Sequence, residues 1–288
     1  MAWTEIGTKI RMYGELVMFS NSLFSLSFGI VGMLLAAHGL PAFATIFWIF
    51  MALIAGRTGA NALNRVADRD IDAKDPRTAG RHIPAGKLRT REVCYLILVC
   101  AVLLFIAAAF LGRICVYLLP VAAVLFVVYS YAKRFTWLCH LILGLSCAVA
   151  PAGAWIAVTG GLNFIACVLC LADVLWVAGF DIIYAIQDRD FDAKEGLHSI
   201  PVRFGEGTAL LIAAAFHIGT FLLLLSLIFL AELTWLYGVG VLLIGGFLFY
   251  EHRLVSPGYY GKVIFASYQV NQIISIVLLI FVTADLFL

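Results

Sequence analysis

The sequence has little charge and lacks any long polar segment. Asp, Glu, Lys and Arg make up only 12% of its 288 residues, about half of their share in a typical soluble domain. No polar stretch reaches the ~50 residues that even a small separate domain needs, and no linker rich in Pro, Gly or Ser divides the chain. These absences exclude a multidomain soluble protein and predict one domain over residues 1–288.

The seven cysteines lack the spacing of a disulfide framework or of a zinc site. Most of them lie in apolar runs, where cysteine packs as a small hydrophobic side chain. Cys167 and Cys170 form a C-x-x-C pair, but it lies inside an apolar run and has no second ligand pair. We expect neither disulfide bonds nor zinc.

Apolar residues dominate the chain instead, at 64% of the sequence and a mean hydropathy of +1.03. A soluble fold has too little interior to bury so large a share. A span of the bilayer needs about 20 mostly apolar residues, and nine stretches qualify: 14–37, 41–61, 92–111, 114–131, 137–159, 162–182, 208–230, 233–250 and 265–287. Because lipid offers open backbone groups no partners, we predict an all-α integral membrane protein with nine transmembrane helices bundled around a central cavity.

The basic residues predict the orientation of the chain. With nine spans, the N-terminus and the loops after spans two, four, six and eight share one side of the membrane. That side holds all 19 Lys and Arg residues except Arg113, so by the positive-inside rule it is cytoplasmic. We predict a multi-pass protein of a bacterial or archaeal-type inner membrane, with its N-terminus and its functional site on the cytoplasmic side.

Acidic residues are concentrated in a duplicated heptapeptide. Residues 68–74 read DRDIDAK and residues 188–194 read DRDFDAK, and together they hold six of the 17 acidic residues. Each copy follows an apolar run that ends on the predicted cytoplasmic side. The sequence therefore predicts an internal repeat of parallel topology.

Oxygen-bearing side chains recur every three or four residues around both copies: Asn64, Asp68 and Asp72 in the first, and Asp181, Tyr184, Asp188 and Asp192 in the second. Residues at this spacing share one face of a helix. Carboxylates that converge from two helix ends repel each other unless a cation neutralises them. Mg²⁺ prefers one or two carboxylates together with substrate phosphates, so we expect the two stripes to bind Mg²⁺ and, through it, a diphosphate.

Basic residues near the stripes are candidates for charge-assisted bonds to phosphate oxygens: Arg65, Arg69, Arg77, Arg81, Lys133, Arg134, Lys194 and Arg203. A simpler account is that these charges only anchor helix ends in water. It explains neither the matched spacing nor the acid Asp181 inside or at the edge of span six, where ionisable residues are functional by default. Asn21 of span one either lines the acceptor end of the cavity or bonds between helices, and such bonding is favoured for His140 and Asn271.

The motifs resemble those of the UbiA-type intramembrane prenyltransferase superfamily over essentially the whole chain. The family's first motif, N-D-x-x-D-x-x-x-D, is matched by residues 64–72 with Arg65 in place of the first Asp, and its second, D-x-x-Y-x-x-x-D-x-x-x-D, is intact over residues 181–192. Residues 75–86 resemble the loop after the first motif, and residues 129–136 resemble the Y-x-x-x-K-R connection. The form with Arg65 resembles the archaeal-type and futalosine-pathway menaquinone branch more than the proteobacterial ubiquinone branch.

The resemblance implies Mg²⁺-dependent transfer of a polyprenyl group from an allylic diphosphate to an aromatic acceptor, 4-hydroxybenzoate or a dihydroxynaphthoate, in ubiquinone or menaquinone biosynthesis. The implied metal ligands are Asn64, Asp68, Asp72, Asp188 and Asp192. The implied catalytic residues are Asp68, Asp181, Tyr184 and Asp188, among which Asp181 orients the acceptor or takes its proton. The implied substrate-binding residues are Arg65, Arg69, Lys133, Arg134, Arg77, Arg81, Lys194 and Asn21. The prenyl tail would lie in an apolar channel open to lipid.

Two other functions stay open at this point. One is a relative in the same superfamily with another acceptor, such as heme, chlorophyllide, a lipid glycerol or a sugar phosphate. The other is a cation-coupled transporter, which would place its acids near the bilayer midplane between repeats of opposed topology. The expected partners are the diphosphate, the acceptor and the lipid bilayer, with neither nucleic acid nor an obligate protein partner.

Overall fold

The computed structural model describes residues 9, 11–17 and 26–288, and those residues form helices with no β-strand. The helices in chain order are α1 (Ser27–Ala37), α2 (Phe43–Ala67), α3 (Arg69–Asp72), α4 (Thr90–Leu111), α5 (Arg113–Ala132), α6 (Cys139–Thr159), α7 (Phe164–Ala185), α8 (Arg189–Lys194), α9 (Ile200–Phe204), α10 (Glu206–Leu230), α11 (Trp235–Arg253) and α12 (Asn271–Phe287). A 3₁₀ turn (Ile186–Asp188) joins α7 to α8, and a π-helix (Phe265–Val270) precedes α12.

The all-α prediction is confirmed. Among the described residues, eight helical segments are long and apolar enough to cross a membrane, and α1 is a shorter apolar helix. The first predicted span, 14–37, includes residues 18–25, which lie outside the described part of the chain. Nine spans and an internal repeat therefore stay predictions.

Helix α2 shows the largest difference between a predicted span and the structure. With the π-helix counted as part of the last span, the other long helices begin and end within three residues of the predicted limits, but α2 ends at Ala67 rather than at residue 61. Arg57, Asn61 and Asn64 lower the hydropathy of its last turns without ending the helix. These polar side chains line cavities in the bundle. The apolar pattern therefore ends before the helix does.

Helix α7 is the central helix of the bundle. It packs against α6 on one side and α10 on the other, and 61% of its most apolar stretch is buried, against 6% for that of α5. Its N-terminus is capped by Asn163, whose Oδ1 accepts from the backbone N–H of Ala166 at 2.9 Å. The second acidic stripe is therefore carried by the most enclosed helix.

The remaining helices form two groups around α6 and α7. Helices α2, α4 and α5 pack together on one side, and α10, α11 and α12 pack in succession on the other, with α1 between α6 and α12. Large apolar side chains on the outer faces, including Phe105, Tyr117 and Val124, are exposed. Such a surface is compatible with lipid but not with water.

The connection between α3 and α4 folds back over the end of the bundle. The Thr78 hydroxyl donates to the carbonyl oxygen of Asp72 at 3.0 Å, and the Leu88 N–H donates to His82 O at 3.0 Å. Thr78 is buried. This folding brings Arg77 and Arg81 back toward the helix ends from which the loop departs.

Helices α6 and α7 approach closely at Gly144. A Cβ added there would lie 2.4 Å from the carbonyl oxygen of Val174, so only glycine permits this backbone contact. Small residues serve this purpose at helix interfaces in membranes. The contact fixes α6 against α7 below the site.

We expect Gly144→Ala to force the two helices apart and to destabilise the protein by about 1–3 kcal/mol, the usual cost of overpacking. The measurement is the thermal unfolding midpoint in detergent. Gly153→Ala is the control, because a Cβ at Gly153 on the same helix meets nothing within 4 Å. Equal midpoints for the two variants would contradict the close approach.

Candidate active site

Both acidic stripes line one cavity of about 170 Å³ at a single end of the bundle. Its walls contain Asn64, Asp68 and Asp72 from the first stripe and Asp181, Tyr184, Asp188 and Asp192 from the second. The loop after α3 contributes Asp75, Arg77, Thr78 and Arg81, and the end of α5 with the residue after it contributes Tyr129, Ser130 and Lys133. The heptapeptides, 120 residues apart in sequence, therefore meet across one enclosed space.

Each stripe stays on one side of the chain although its helix is interrupted within it. Helix α2 ends at Ala67, but Asp68 N–H still donates to Asn64 O at 2.9 Å and Asp72 N–H to Asp68 O at 2.8 Å. The four-residue repeat of hydrogen bonds is thus kept across the break. In the second copy the 3₁₀ turn at Ile186–Asp188 lies between α7 and α8, and the acids on both sides of it still face the cavity.

Each of the four heptapeptide carboxylates that line the cavity pairs with a different basic side chain. The pairs are Asp68–Arg134 at 3.1 Å, Asp72–Arg81 at 2.6 Å, Asp188–Arg77 at 2.8 Å and Asp192–Lys133 at 3.3 Å. Three of the four acids are buried, at 3–7% exposure. Because isolated buried charges cost several kcal/mol each, this pairing is what permits the cluster.

Burial and pairing act on the pKa values in opposite directions. Burial raises the pKa of the Asp68 carboxyl, and it stays raised although Arg134 acts to lower it. Burial lowers the pKa of Lys133, but the charges of Asp192 and Asp188 raise it above its ordinary value. Lys133 is therefore positively charged at neutral pH. A further cation near Asp68 would stabilise the charged form of its carboxyl group.

Arg77 connects the loop to α7. Its Nη1 donates to the Tyr184 hydroxyl at 2.6 Å, and its Nη2 donates to Asp188 at 2.9 Å. Burial lowers the pKa of Arg77, yet Asp188 and Tyr184 raise it overall. The loop is thus fastened to the second stripe by a charged residue of the kind that binds phosphate.

The oxygen-rich walls fit a hard cation. Oδ2 of Asp72 is buried and accepts no hydrogen bond from any described residue, and the surrounding donors are carboxylate and amide oxygens of the kind that Mg²⁺ prefers. In the described part of the chain, no group of three or more His, Cys, Asp or Glu side chains is arranged to hold a metal ion as it stands. Basic side chains lie between the acids instead.

Some predicted site residues lie elsewhere. Arg65 lines the cavity, and Arg134 reaches it through Asp68, but Arg69 pairs with exposed Asp70 at 3.3 Å and Lys194 is exposed outside it. Arg69 is one residue, about 100° of helix, from Asp68, so it points away from the stripe. Neither Arg69 nor Lys194 lines the cavity, so their substrate-binding roles stay predictions, and Asn21 lies outside the described residues.

Asp181 has a partner that the sequence did not identify. Its Oδ2 lies 2.7 Å from Nδ1 of His140 on α6, and Nε2 of His140 accepts from the Ile200 N–H at 3.4 Å. That backbone donor assigns the proton of neutral His140 to Nδ1, which then donates to Asp181. The two residues are 41 positions apart in sequence and lie on different helices, so no local spacing pointed to the pair.

A second cavity, of about 410 Å³ and almost wholly apolar, lies between α2, α4, α5 and α6. Tyr129 belongs to the walls of both cavities. Near that junction Arg57 of α2 donates to Sγ of Cys147 at 3.4 Å, and its Nε is buried with no hydrogen-bond partner among the described residues. Sequence reasoning used Arg57 only for orientation, although a charge inside an apolar run is itself a functional signal.

The chain matches known proteins over nearly all of its length. The model of the UbiA prenyltransferase family matches residues 25–271. A 4-hydroxybenzoate octaprenyltransferase from Tolumonas auensis is 32% identical over 221 residues, which cover 77% of each chain. Among solved structures, the apo UbiA homologue from Aeropyrum pernix K1 has a TM-score of 0.84 at 29% identity, covering 92% of this chain and 98% of that one.

A further solved structure shares the fold at lower identity. The UbiA homologue from Archaeoglobus fulgidus bound to GPP and Mg²⁺ has a TM-score of 0.74 at 19% identity and covers 96% of this chain and all of that one. The family match covers far more than half of the sequence, and the acid pattern, the basic partners and the helical architecture agree with it. The chain therefore belongs to the UbiA prenyltransferase family and is a polyprenyltransferase.

Proposed function

We propose that the protein transfers a polyprenyl group from an allylic polyprenyl diphosphate to an aromatic acid, in a reaction that depends on Mg²⁺. The observation that carries this proposal is the junction at Tyr129, where a cavity of paired charges adjoins an apolar cavity. A diphosphate with a long hydrocarbon tail needs both environments side by side. The relative from Tolumonas auensis is a 4-hydroxybenzoate octaprenyltransferase, which favours 4-hydroxybenzoate over a dihydroxynaphthoate as acceptor.

The metal would be held by the residues predicted from the two motifs: Asn64, Asp68, Asp72, Asp188 and Asp192. When bound, Mg²⁺ supplies positive charge that stabilises the diphosphate as a leaving group. Arg77, Arg81, Lys133 and Arg134 already carry their charges to the cavity. They exchange carboxylate oxygens for phosphate oxygens, which offer the same charge-assisted bonds.

The acceptor would lie between Asp181 and Arg57. Asp181 is 24% exposed on the cavity side and is held by His140, which is fully buried, so its carboxylate is positioned to orient an acceptor hydroxyl or to take its proton. Arg57 has a buried Nε without a hydrogen-bond partner in the described residues. A carboxylate on the acceptor satisfies that donor, and this argues for an aromatic acid rather than a neutral phenol.

The apolar cavity would hold the prenyl tail. It runs from Arg57 and Asn61 near the charged site to Leu111 and Leu162 near the opposite helix ends. Its walls hold no acidic residue among those described. We further propose that the whole chain is one such domain and that the charged end faces the cytoplasm, because that end carries nearly all of the basic residues.

The direct test incubates purified protein with radiolabelled allylic polyprenyl diphosphate, Mg²⁺ and a panel of acceptors. We expect stoichiometric diphosphate release and a prenylated 4-hydroxybenzoate. A panel that includes a dihydroxynaphthoate, heme and a lipid glycerol separates this acceptor from those of other family members. Tail transfer to a non-aromatic acceptor alone would overturn the proposal.

We expect Asp68→Asn and Asp188→Asn to lower kcat at least ~100-fold, because each removes a carboxylate whose loss costs several kcal/mol of leaving-group stabilisation. Asp70→Asn and Asp190→Asn are matched controls from the same heptapeptides. Their side chains are 80% and 91% exposed, and they should stay within about twofold of wild type. Comparable losses in all four variants would show that net charge, not the cavity, is responsible.

Chelation tests the metal separately. Protein freed of divalent ions with EDTA should release no diphosphate, and added Mg²⁺ should restore turnover because the oxygen donors suit a hard cation. Asp72→Asn should raise the Mg²⁺ concentration needed for half-maximal rate at least about 10-fold, because even the loss of a residue that only orients a ligand weakens metal binding about 10–100-fold. Full activity in EDTA would contradict a metal-dependent reaction.

Arg57→Gln should raise KM for 4-hydroxybenzoate about 10–100-fold, since a charge-assisted bond contributes ~1.5–3 kcal/mol, and should leave KM for the diphosphate unchanged. The uncharged analogue 4-hydroxybenzamide should show little difference between wild type and variant. Steady-state kinetics with each substrate varied in turn provide the measurement. An equal rise in both KM values would place Arg57 outside the acceptor site.

A further inference from the structure

A second polar network is buried behind the charged cavity, away from the motif residues. Nε1 of Trp176 on α7 donates to Oδ1 of Asn271 at 2.6 Å, and Nδ2 of Asn271 donates to Oε1 of Glu251 on α11 at 2.9 Å. The three side chains are between 0% and 5% exposed. Buried polar groups in such a place are retained at a cost, so they call for a structural or functional reason.

The network holds the π-helix. Besides its bond to Glu251, Nδ2 of Asn271 donates to the carbonyl oxygens of Ala266 at 3.2 Å and Ser267 at 3.3 Å. Both carbonyls belong to the π-helix Phe265–Val270, whose wider turn departs from the usual i to i+4 bonding. Asn271 therefore secures this turn from within, and Glu251 and Trp176 secure Asn271.

The π-helix carries one side chain into the charged cavity. Tyr268 lines that cavity, and its ring meets the Tyr184 ring edge to face, with centroids 5.4 Å apart. The Tyr184 hydroxyl accepts from Arg77, which also holds Asp188. Tyr268 thus stands beside the groups that would bind the diphosphate, on a turn type that occurs frequently at functional sites.

We propose that Asn271 is a positioning residue that fixes the π-helix so that the Tyr268 ring covers the reacting carbon and excludes water. This inference rests on the proposed function. After the allylic C–O bond breaks, the diphosphate leaves with the electron pair, and the carbocation has two fates. The aromatic acceptor forms a new C–C bond and loses a proton, or water adds and loses a proton to give the prenyl alcohol.

The placement of Tyr268 decides between these fates. A ring face over the cation stabilises it electrostatically and occupies the space that a water molecule needs. The ring and not the hydroxyl carries this role, so Tyr268→Phe should keep the ratio of prenylated product to prenyl alcohol. Tyr268→Leu should lower the ratio about tenfold, which corresponds to about 1.4 kcal/mol between the two competing barriers.

The first experiment examines the anchor without any substrate. Hydrogen exchange is followed by mass spectrometry for the detergent-solubilised full chain and for Asn271→Leu, which removes the amide at similar volume. We expect faster exchange in peptides covering residues 264–272 and unchanged exchange in α7. Ser275→Ala is the matched control, because buried Ser275 bonds within α12, to Gln272 O at 2.9 Å, and to no other described residue. Equal exchange in Asn271→Leu and wild type overturns the anchoring role.

The second experiment measures both products with 4-hydroxybenzoate and radiolabelled diphosphate. Asn271→Leu should shift the ratio toward the alcohol as Tyr268→Leu does, with KM for the diphosphate within about twofold of wild type. If the ratio of prenylated product to alcohol is unchanged in either variant, the water-excluding role is overturned, even if hydrogen exchange in the π-helix has become faster. A wild-type protein that yields no prenylated product refutes the proposed function instead, and the exchange result still decides whether Asn271 holds the π-helix.

Discussion

The pairing of carboxylates with basic side chains at one end of the bundle underlies the rest of the structure. Four carboxylates stand at the edge of an apolar helix bundle, and four basic groups from two other segments neutralise them one by one. Without these partners, burial would cost several kcal/mol for each charge. The loop after α3 and the connection after α5 are thereby tied to the helix ends, so the shape of the cavity and its charge balance have the same origin.

For the proposed reaction, this balance explains how a diphosphate would bind without leaving a buried charge unpaired. A metal ion and a diphosphate bring charges of both signs. In the proposed reaction, the carboxylates would hold Mg²⁺ and the basic side chains would bind the phosphate oxygens. The orphaned Oδ2 of Asp72 and the raised pKa of Asp68 mark the places where the ion pairs leave a need for more positive charge.

The sequence predicted the parts that depend on local periodicity. Most long helices agree with the apolar pattern to within three residues, and the steps of three and four residues correctly placed both stripes on one cavity. The end of α2 was missed because Arg57, Asn61 and Asn64 line internal cavities. Hydropathy alone cannot tell a polar residue that faces an internal cavity from one that faces water outside the membrane. Arg69 and Lys194 were grouped with the site by their proximity in sequence, whereas the rotation of the helix turns them outward.

Contacts between distant segments were beyond the sequence. The pairing of His140 with Asp181 joins α6 to α7, and neither residue has a local pattern that announces the other. Tyr268 and Asn271 depend on a π-helix that no apolar period predicts. Each of these residues contacts a partner on another helix, and such contacts are visible only in the packed bundle.

The most direct test of the central claim is to locate the metal. Mn²⁺ replaces Mg²⁺ in crystals grown with a non-reactive allylic thiodiphosphate, and anomalous scattering identifies its position. The account predicts that the ions bind oxygen ligands from both heptapeptides and that Arg77 and Arg81 contact the diphosphate. Ions held by one heptapeptide alone, with Asp188 and Asp192 still paired to Arg77 and Lys133, would contradict it.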